Sequence, residues 1–232
     1  PGKATRWLAG YADAVAVTFD ETFRDDRLKR REVTGLPLRE TLCLAAQAVE
    51  RNFAAGPPLR VLIAGGSQGS SALNDTITAA FGLLADEEKK NFAVIHITGQ
   101  KDFDRVMEAY RSLGIEHRVF PFYGRMHELY AGADIALTRA GANTMFELAL
   151  FRMPAWVVPY PHAGEHQAAN ARYFEARGAV RCSDEKSLDA GALAQALRTF
   201  LKDPEERSRL SRAVSELRQP AAAERLCDLM EE

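Results

Sequence analysis

Three stretches of this chain combine residue types that can hold a phosphorylated, hydroxyl-rich ligand. The first is GGSQG, residues 65–69, directly after the apolar run RVLIA. Gly65, Gly66 and Gly69 permit a tight turn and close backbone approach, and Ser67 offers a hydroxyl. A helix opening just after such a turn presents free N–H groups and the positive end of its dipole, which together favour phosphate. No Gly-Lys-Ser/Thr follows, so this is not a P-loop, and the spacing is not a strict G-x-G-x-x-G. A glycine turn of this kind can also end a strand without holding any ligand.

The second stretch is TRAGANTMFE, residues 138–147. A strand ending at Arg139 passes through Ala140-Gly141-Ala142 into a helix carrying Asn143 and Thr144. Glu147 is expected on about its first turn, at the carboxyl edge of a sheet, where open α/β sheets bind ligands. A carboxylate there can accept two hydroxyl hydrogen bonds from a ribose. Alternatively Asn143 or Thr144 is a helix cap, and Glu147 only favours the helix N-terminus. The third stretch is PYPHAGEHQAAN, residues 159–170. His162 and His166 stand four apart, but Pro161-His162-Ala163-Gly164 reads as loop, so a metal-binding pair on one helix face is not expected. His166, Gln167 and Asn170 suit a polyhydroxylated ligand better, because amides both donate and accept.

These stretches need a scaffold that brings them together. Short β-branched or aliphatic runs at 13–19, 60–66, 92–98, 117–122, 134–139, 155–160 and 179–183 read as strands. Helical patterns fill about 71–86, 101–113, 124–132, 143–151, 165–177 and 189–201. Such alternation predicts a doubly wound parallel α/β sheet of Rossmann type. All three polar loops then follow strand ends on one edge of one sheet. Together they point to a ligand with a diphosphate, a ribose and a further polar group, that is, a nucleotide-sugar.

Before residue 57 the pattern is less regular: one clear strand, a charged stretch, VTGLPLR and a probable helix ETLCLAAQAVERNFA. Gly56, Pro57 and Pro58 mark a boundary. The expected organisation is 1–56 as the tail of a preceding domain plus linker, 57–202 as the Rossmann-like unit and 203–232 as closing helices. Pro204 suits a helix start and Pro220 a break.

The chain of 232 residues carries a net charge of -2, which invites no nucleic acid. It holds no apolar run of the ~18 residues a transmembrane helix needs, and its start is unlike a signal peptide. Cys43, Cys182 and Cys227 show no metal spacing, and as an odd set they read as reduced thiols, buried as small hydrophobes in a cytosolic protein.

The motifs GGSQGSSALN, TRAGANTMFE and VPYPHAGEHQAANA, with PGKATRWLA and TGLPLR before them and QPAAAERLCDLM after, resemble the C-terminal half of the MurG family. These are family 28 glycosyltransferases of GT-B fold that transfer N-acetylglucosamine from UDP-GlcNAc to lipid I, giving lipid II for peptidoglycan. The resemblance implies the donor-binding half of an inverting hexosyltransferase at the inner, cytoplasmic face of the bacterial membrane, peripherally attached. It implies diphosphate contacts from Gly66, Ser67 and Gln68, and Arg39 reaching the nucleotide from the interdomain side. Tyr123 and Met126 lie at the uracil position. Gly141, Ala142, Asn143 and Thr144 line the phosphates and uridine, and Glu147 holds the ribose. His166 and Gln167 read the sugar hydroxyls, supported by Asn170. No metal or other cofactor is implied, in keeping with the absence of a DxD-like cluster at the strand ends. The catalytic base and the lipid I site belong to the family's N-terminal domain, so the chain alone is expected to bind donor and turn over weakly or not at all. Ala140 departs from the family's usual serine and is expected to cost a phosphate-facing hydroxyl. Two other readings stand beside this one: a non-catalytic donor-binding subunit of a split transferase, docking through Trp7, Phe19 or 203–232, and a UDP-sugar hydrolase or epimerase.

Overall fold

Strands form where the aliphatic runs alternate their side chains across two buried faces. In Leu59–Ala64, Val61 and Ile63 enter one hydrophobic cluster and Leu62 the other, on opposite sides of the same sheet. The computed structural model describes residues 3–23, 28–54, 56–66, 69–161 and 166–231. In chain order the elements begin with α1 (Lys3–Ala9), β1 (Val15–Val17), β2 (Arg31–Val33), α2 (Glu40–Gln47), β3 (Leu59–Ala64), α3 (Ser71–Gly82) and α4 (Asp86–Lys89). Then come β4 (Phe92–Ile97), α5 (Phe103–Ser112), β5 (Glu116–Phe120), α6 (Met126–Gly132), β6 (Ile135–Thr138) and α7 (Ala142–Leu150). The chain closes with β7 (Ala155–Val157), α8 (His166–Glu175), β8 (Arg181–Cys182), α9 (Ala190–Lys202), α10 (Pro204–Glu216) and α11 (Ala222–Glu231).

The main sheet has the order β5-β4-β3-β6-β7-β8, with every pair parallel. β3 comes first in sequence and lies in the middle, so the winding reverses between β3 and β6. Helix α3 packs Leu73, Ile77 and Phe81 into one cluster with Leu197 and Phe200 of α9. Helix α7 packs Met145, Phe146 and Leu148 into the other, with Tyr130 of α6 and Phe174 of α8. Helices leaving neighbouring strands to opposite faces open a crevice at the strands' carboxyl ends.

Phe19, Leu36, Leu38, Leu42 and Ala46 of the N-terminal segment pack against this unit. β1 pairs with β2 in parallel, a second strand that the charged stretch around it conceals in the sequence. The expected helix 40–54 stops at Gln47, and the chain beyond it lets Arg51 reach three carbonyls, of Phe151, Ala133 and Tyr130, at 2.7, 2.7 and 3.0 Å. Phe19 packs on Phe146 and Tyr173, with ring centres 5.3 and 4.3 Å away, so it is spent on internal packing. Pro204 opens α10, and Pro220 falls between α10 and α11. Gln219 there accepts from the Leu36 N–H at 3.0 Å and donates to the Thr18 carbonyl at 3.1 Å, and Arg225 donates to the Thr34 carbonyl at 2.9 Å. The closing helices thus hold the N-terminal segment down. The cysteines are not all buried: Cys43 and Cys182 are half-buried and Cys227 is exposed. No helix among the described residues is long and apolar enough to cross a membrane.

Candidate functional site

The crevice lies between the β3–α3 and β6–α7 connections. Gly66 has φ +99 and Gly69 φ +74, a region that L side chains rarely adopt. A Cβ on Gly69 would stand 2.0 Å from the Thr98 carbonyl oxygen, so only glycine lets this loop close over the end of β4. Ser67 and Gln68 lie outside the described residues.

Both helices entering the crevice start without a side-chain cap. Ser70 occupies the N-cap of α3 but makes no capping bond; its hydroxyl accepts from Arg139 Nη2 at 2.5 Å. Gly141 occupies the N-cap of α7, with φ -61 and ψ 142, and has no side chain to offer. Neither Asn143 nor Thr144 is the cap; they are the second and third residues of α7. Lack of a side-chain cap is shared by α2, α5 and α6, whereas two helices away from the crevice are capped by aspartate. Asp189 caps α9 through the Ala192 N–H at 2.7 Å, and Asp203 caps α10 through the Glu206 N–H at 2.8 Å. Two neighbouring helix starts therefore bring N–H groups with no side-chain cap among the described residues, and positive dipole ends, to one place, the requirement for an anion.

Buried polar groups brace the loops around this place. Arg139 is 4% exposed and donates to the carbonyls of Val158 and Pro159 at 3.2 and 3.4 Å, pairs with Glu185, and lies 5.4 Å over the Tyr160 ring. With its bond to Ser70, one guanidinium ties together the loops after β3, β6, β7 and β8. Gln167 Oε1 accepts from the Ala140 and Tyr160 N–H groups at 3.1 and 2.9 Å, and Asn170 donates to the Ala140 carbonyl at 3.0 Å. These two amides are engaged in joining the β6–α7 and β7–α8 loops. Ala140 is completely buried, its methyl in the core cluster, so a hydroxyl at this position would not face the open crevice. His166 is the exposed first residue of α8, while His162 and Glu165 lie outside the described residues.

A second polar chain runs under α3. Asn74 is fully buried and donates to the Thr98 carbonyl and to Asp102, both at 3.0 Å. Its own carbonyl oxygen must therefore accept from His96 Nε2 at 3.0 Å, which leaves His96 Nδ1 to accept from the Tyr110 hydroxyl at 3.0 Å. Burial depresses His96 to about 3, so this imidazole is neutral.

Glu147 sits deeper than its motif suggests, as the sixth residue of α7 and half-buried. It accepts from the Tyr130 hydroxyl at 2.8 Å. Burial raises its carboxyl above the usual value, opposed by the Tyr130 hydrogen bond and by the charge of Arg39. Arg39, at the exposed start of α2, thus faces the same spot. Tyr123 follows β5, meets the Phe120 ring at a tilt with centres 4.7 Å apart and donates to Glu128 at 2.6 Å; Met126 opens α6 and packs on the core. Among the described residues no group of three or more His, Cys, Asp or Glu is placed to hold a metal.

Tyr130, Asn74, His96 and Arg139 belong to the site's framework, and sequence reasoning passed over their roles. Asn74 and His96 did carry a signal, as polar residues on the apolar face of a helix and inside an apolar strand.

Comparison with known proteins adds to this geometry. The sequence profile of the Glycosyltransferase family 28 C-terminal domain matches residues 60–226. The chain is 37% identical over 232 residues to the UDP-N-acetylglucosamine--N-acetylmuramyl-(pentapeptide) pyrophosphoryl-undecaprenol N-acetylglucosamine transferase of Anaeromyxobacter sp., covering 100% of this chain and 60% of that protein. It is 39% identical over 213 residues to the protein of the same name from Acidithiobacillus ferrooxidans, covering 91% of this chain and 58% of that one. The chain therefore spans about three fifths of the length of these curated relatives. Its structure is similar to that of Acinetobacter baumannii MurG, with a TM-score of 0.80 at 27% identity over 99% of this chain and 64% of that one. A UDP-glucose: anthocyanidin 3-O-glucosyltransferase in complex with UDP shares the fold, with a TM-score of 0.66 at 14% identity over 97% of this chain and 54% of that one.

Proposed function

Because the chain belongs to glycosyltransferase family 28, matching its C-terminal domain over residues 60–226, we propose that it binds the donor UDP-N-acetylglucosamine for transfer to lipid I. The pair of side-chain-uncapped helix starts at the sheet's reversal point carries this reading. The diphosphate takes the N–H groups at the side-chain-uncapped starts of α3 and α7. Glu147 accepts from the ribose hydroxyls, and Arg39 approaches the nucleotide from the α2 side. Uracil lies by Tyr123 and Met126, and the sugar by His166.

In the transfer, the C4 hydroxyl of the muramoyl acceptor attacks the anomeric carbon of the donor. The bond from that carbon to the diphosphate oxygen breaks, and UDP leaves carrying the electron pair. Charge grows on the leaving oxygen as it departs. Fixed N–H dipoles aimed at that oxygen stabilise it without reorganising, so the reading assigns no metal to the step. The acceptor proton goes to a base that we assign to no residue of this chain. The reading places the reaction at the inner face of the bacterial membrane, where lipid I is presented, with the protein peripherally attached.

Calorimetric titration with uridine, UMP and UDP in the presence of EDTA tests the donor reading. UDP is expected to bind more tightly than uridine by about tenfold or more, the worth of one or two charge-assisted hydrogen bonds. Equal affinities for the three ligands would remove the diphosphate from the site.

A further inference from the structure

Helix α6 contributes a fully buried tyrosine that the reading above does not use. Tyr130 is 2% exposed, yet its hydroxyl is not left unpaired: it points at Glu147 Oε2, 2.8 Å away. The ring is held against Phe151, with centres 5.3 Å apart. Arg51 fixes both residues from behind, donating to the Tyr130 and Phe151 carbonyls at 3.0 and 2.7 Å. The Tyr130 ring cannot swing away without breaking this packing, so its hydroxyl is a fixed donor to Glu147. One carboxylate oxygen is therefore occupied, and the other has no hydrogen-bond partner among the described residues.

We propose that Tyr130 is a positioning residue for nucleotide recognition: its hydroxyl holds the Glu147 carboxylate ionised and oriented, leaving the second oxygen to accept from the ribose diol. The proposal rests on the donor reading above and adds how that carboxylate becomes a selective acceptor. A half-buried carboxyl without a donor tends to protonate, and a protonated carboxyl cannot accept from two hydroxyls in the same way. Tyr130 from α6 and the charge of Arg39 at the start of α2 are the ionisable groups that act on Glu147, and both oppose its protonation. Tyr130 also confers selectivity for ribose, because a site built around hydroxyl hydrogen bonds rejects ligands that lack them.

The test is a double-mutant cycle of Tyr130→Phe and Glu147→Gln, read as affinities for UDP and for 2′,3′-dideoxy-UDP. Tyr130→Phe is expected to weaken UDP about tenfold, to leave dideoxy-UDP within about twofold, and to have no further effect in the Glu147→Gln background. Wild-type affinity for UDP falls as pH drops through the Glu147 titration. Tyr130→Phe moves that fall to higher pH, and Glu147→Gln abolishes it. Thermal unfolding of each variant checks that the fold survives. Parallel losses for both ligands would reduce Tyr130 to a packing residue and overturn the proposal, as would an equal loss in the Glu147→Gln background. A wild-type preference for UDP that persists in Tyr130→Phe sinks the positioning role alone. A wild type with no preference removes Glu147 from the ribose, and the proposal goes with it.

Discussion

Single residues decide whether the crevice can form. Gly69 is the sharpest case, since a Cβ would stand 2.0 Å from the Thr98 carbonyl and its φ is +74. Gly69→Ala is expected to cost roughly 2–4 kcal/mol in chemical denaturation and to abolish UDP binding, because backbone at both sides of the contact must move. His96 makes a prediction about pH. It is fully buried and neutral, with its folded value lowered to about 3 by burial. Protonation therefore favours the unfolded chain. The stability His96 contributes is complete above its unfolded value of about 6.5 and is lost as pH falls from there towards the folded value. The unfolding free energy should fall below pH 6.5 with a slope approaching about 1.4 kcal/mol per pH unit from this group. His96→Gln, less stable at pH 7.5, should show a flatter dependence between pH 7.5 and 5. An unchanged slope would mean that other groups govern acid unfolding. These residue-level roles were only partly legible in the sequence. The glycines announce a turn, but which one touches a neighbouring strand is decided by the Thr98 contact, 29 residues on in the chain.

At the scale of elements, stability and binding pull against each other at the start of α7. Gly141 has a backbone that any residue can adopt, and a Cβ there would meet only Thr144 Oγ1 at 3.7 Å. An aspartate would fit and would cap the helix, as Asp189 and Asp203 cap α9 and α10. Gly141→Asp is expected to leave stability unchanged or raise it by about 0.5 kcal/mol, since glycine is already a fair cap. It should also weaken UDP at least about tenfold, by occupying the N–H groups and adding a negative charge where the diphosphate goes. Calorimetry and thermal unfolding of the same preparation read both effects, and a variant that binds as well as wild type would show that α7 does not hold the anion. Element existence was well read from the sequence. Each of the seven anticipated strands is present, because aliphatic runs between turn residues leave few other options. Ends were read less well. Helix α2 stops at Gln47, and Arg51 beyond it is recruited by the carbonyls of Tyr130 on α6 and of Ala133 and Phe151 just past the ends of α6 and α7, a long-range demand with no local trace. Strand β2 leaves no pattern in the sequence because its three residues, Arg31–Val33, lie in a charged stretch and gain strand character only by pairing with β1.

Across the whole molecule, the sheet order β5-β4-β3-β6-β7-β8 converts three separated sequence stretches into one site. The sequence pattern was enough to place those stretches on a common edge. It could not say that Gln167 and Asn170 would be engaged in bracing loops, or that Glu147 would lie behind Tyr130, since both depend on how helices from different strands meet. On the donor reading the UDP-sugar diphosphate is held by the side-chain-uncapped starts of α3 and α7. Amide-resolved NMR titration with UDP-N-acetylglucosamine is the decisive measurement, with the aspartate-capped starts of α9 and α10 as internal controls. Saturable shifts are expected at the amides of Gly65, Gly66, Gly69–Ala72 and Ala142–Thr144, and none at Ala190–Ala192 or Glu205–Arg207. Saturable shifts centred elsewhere, or no saturable shifts from a folded chain, would contradict it.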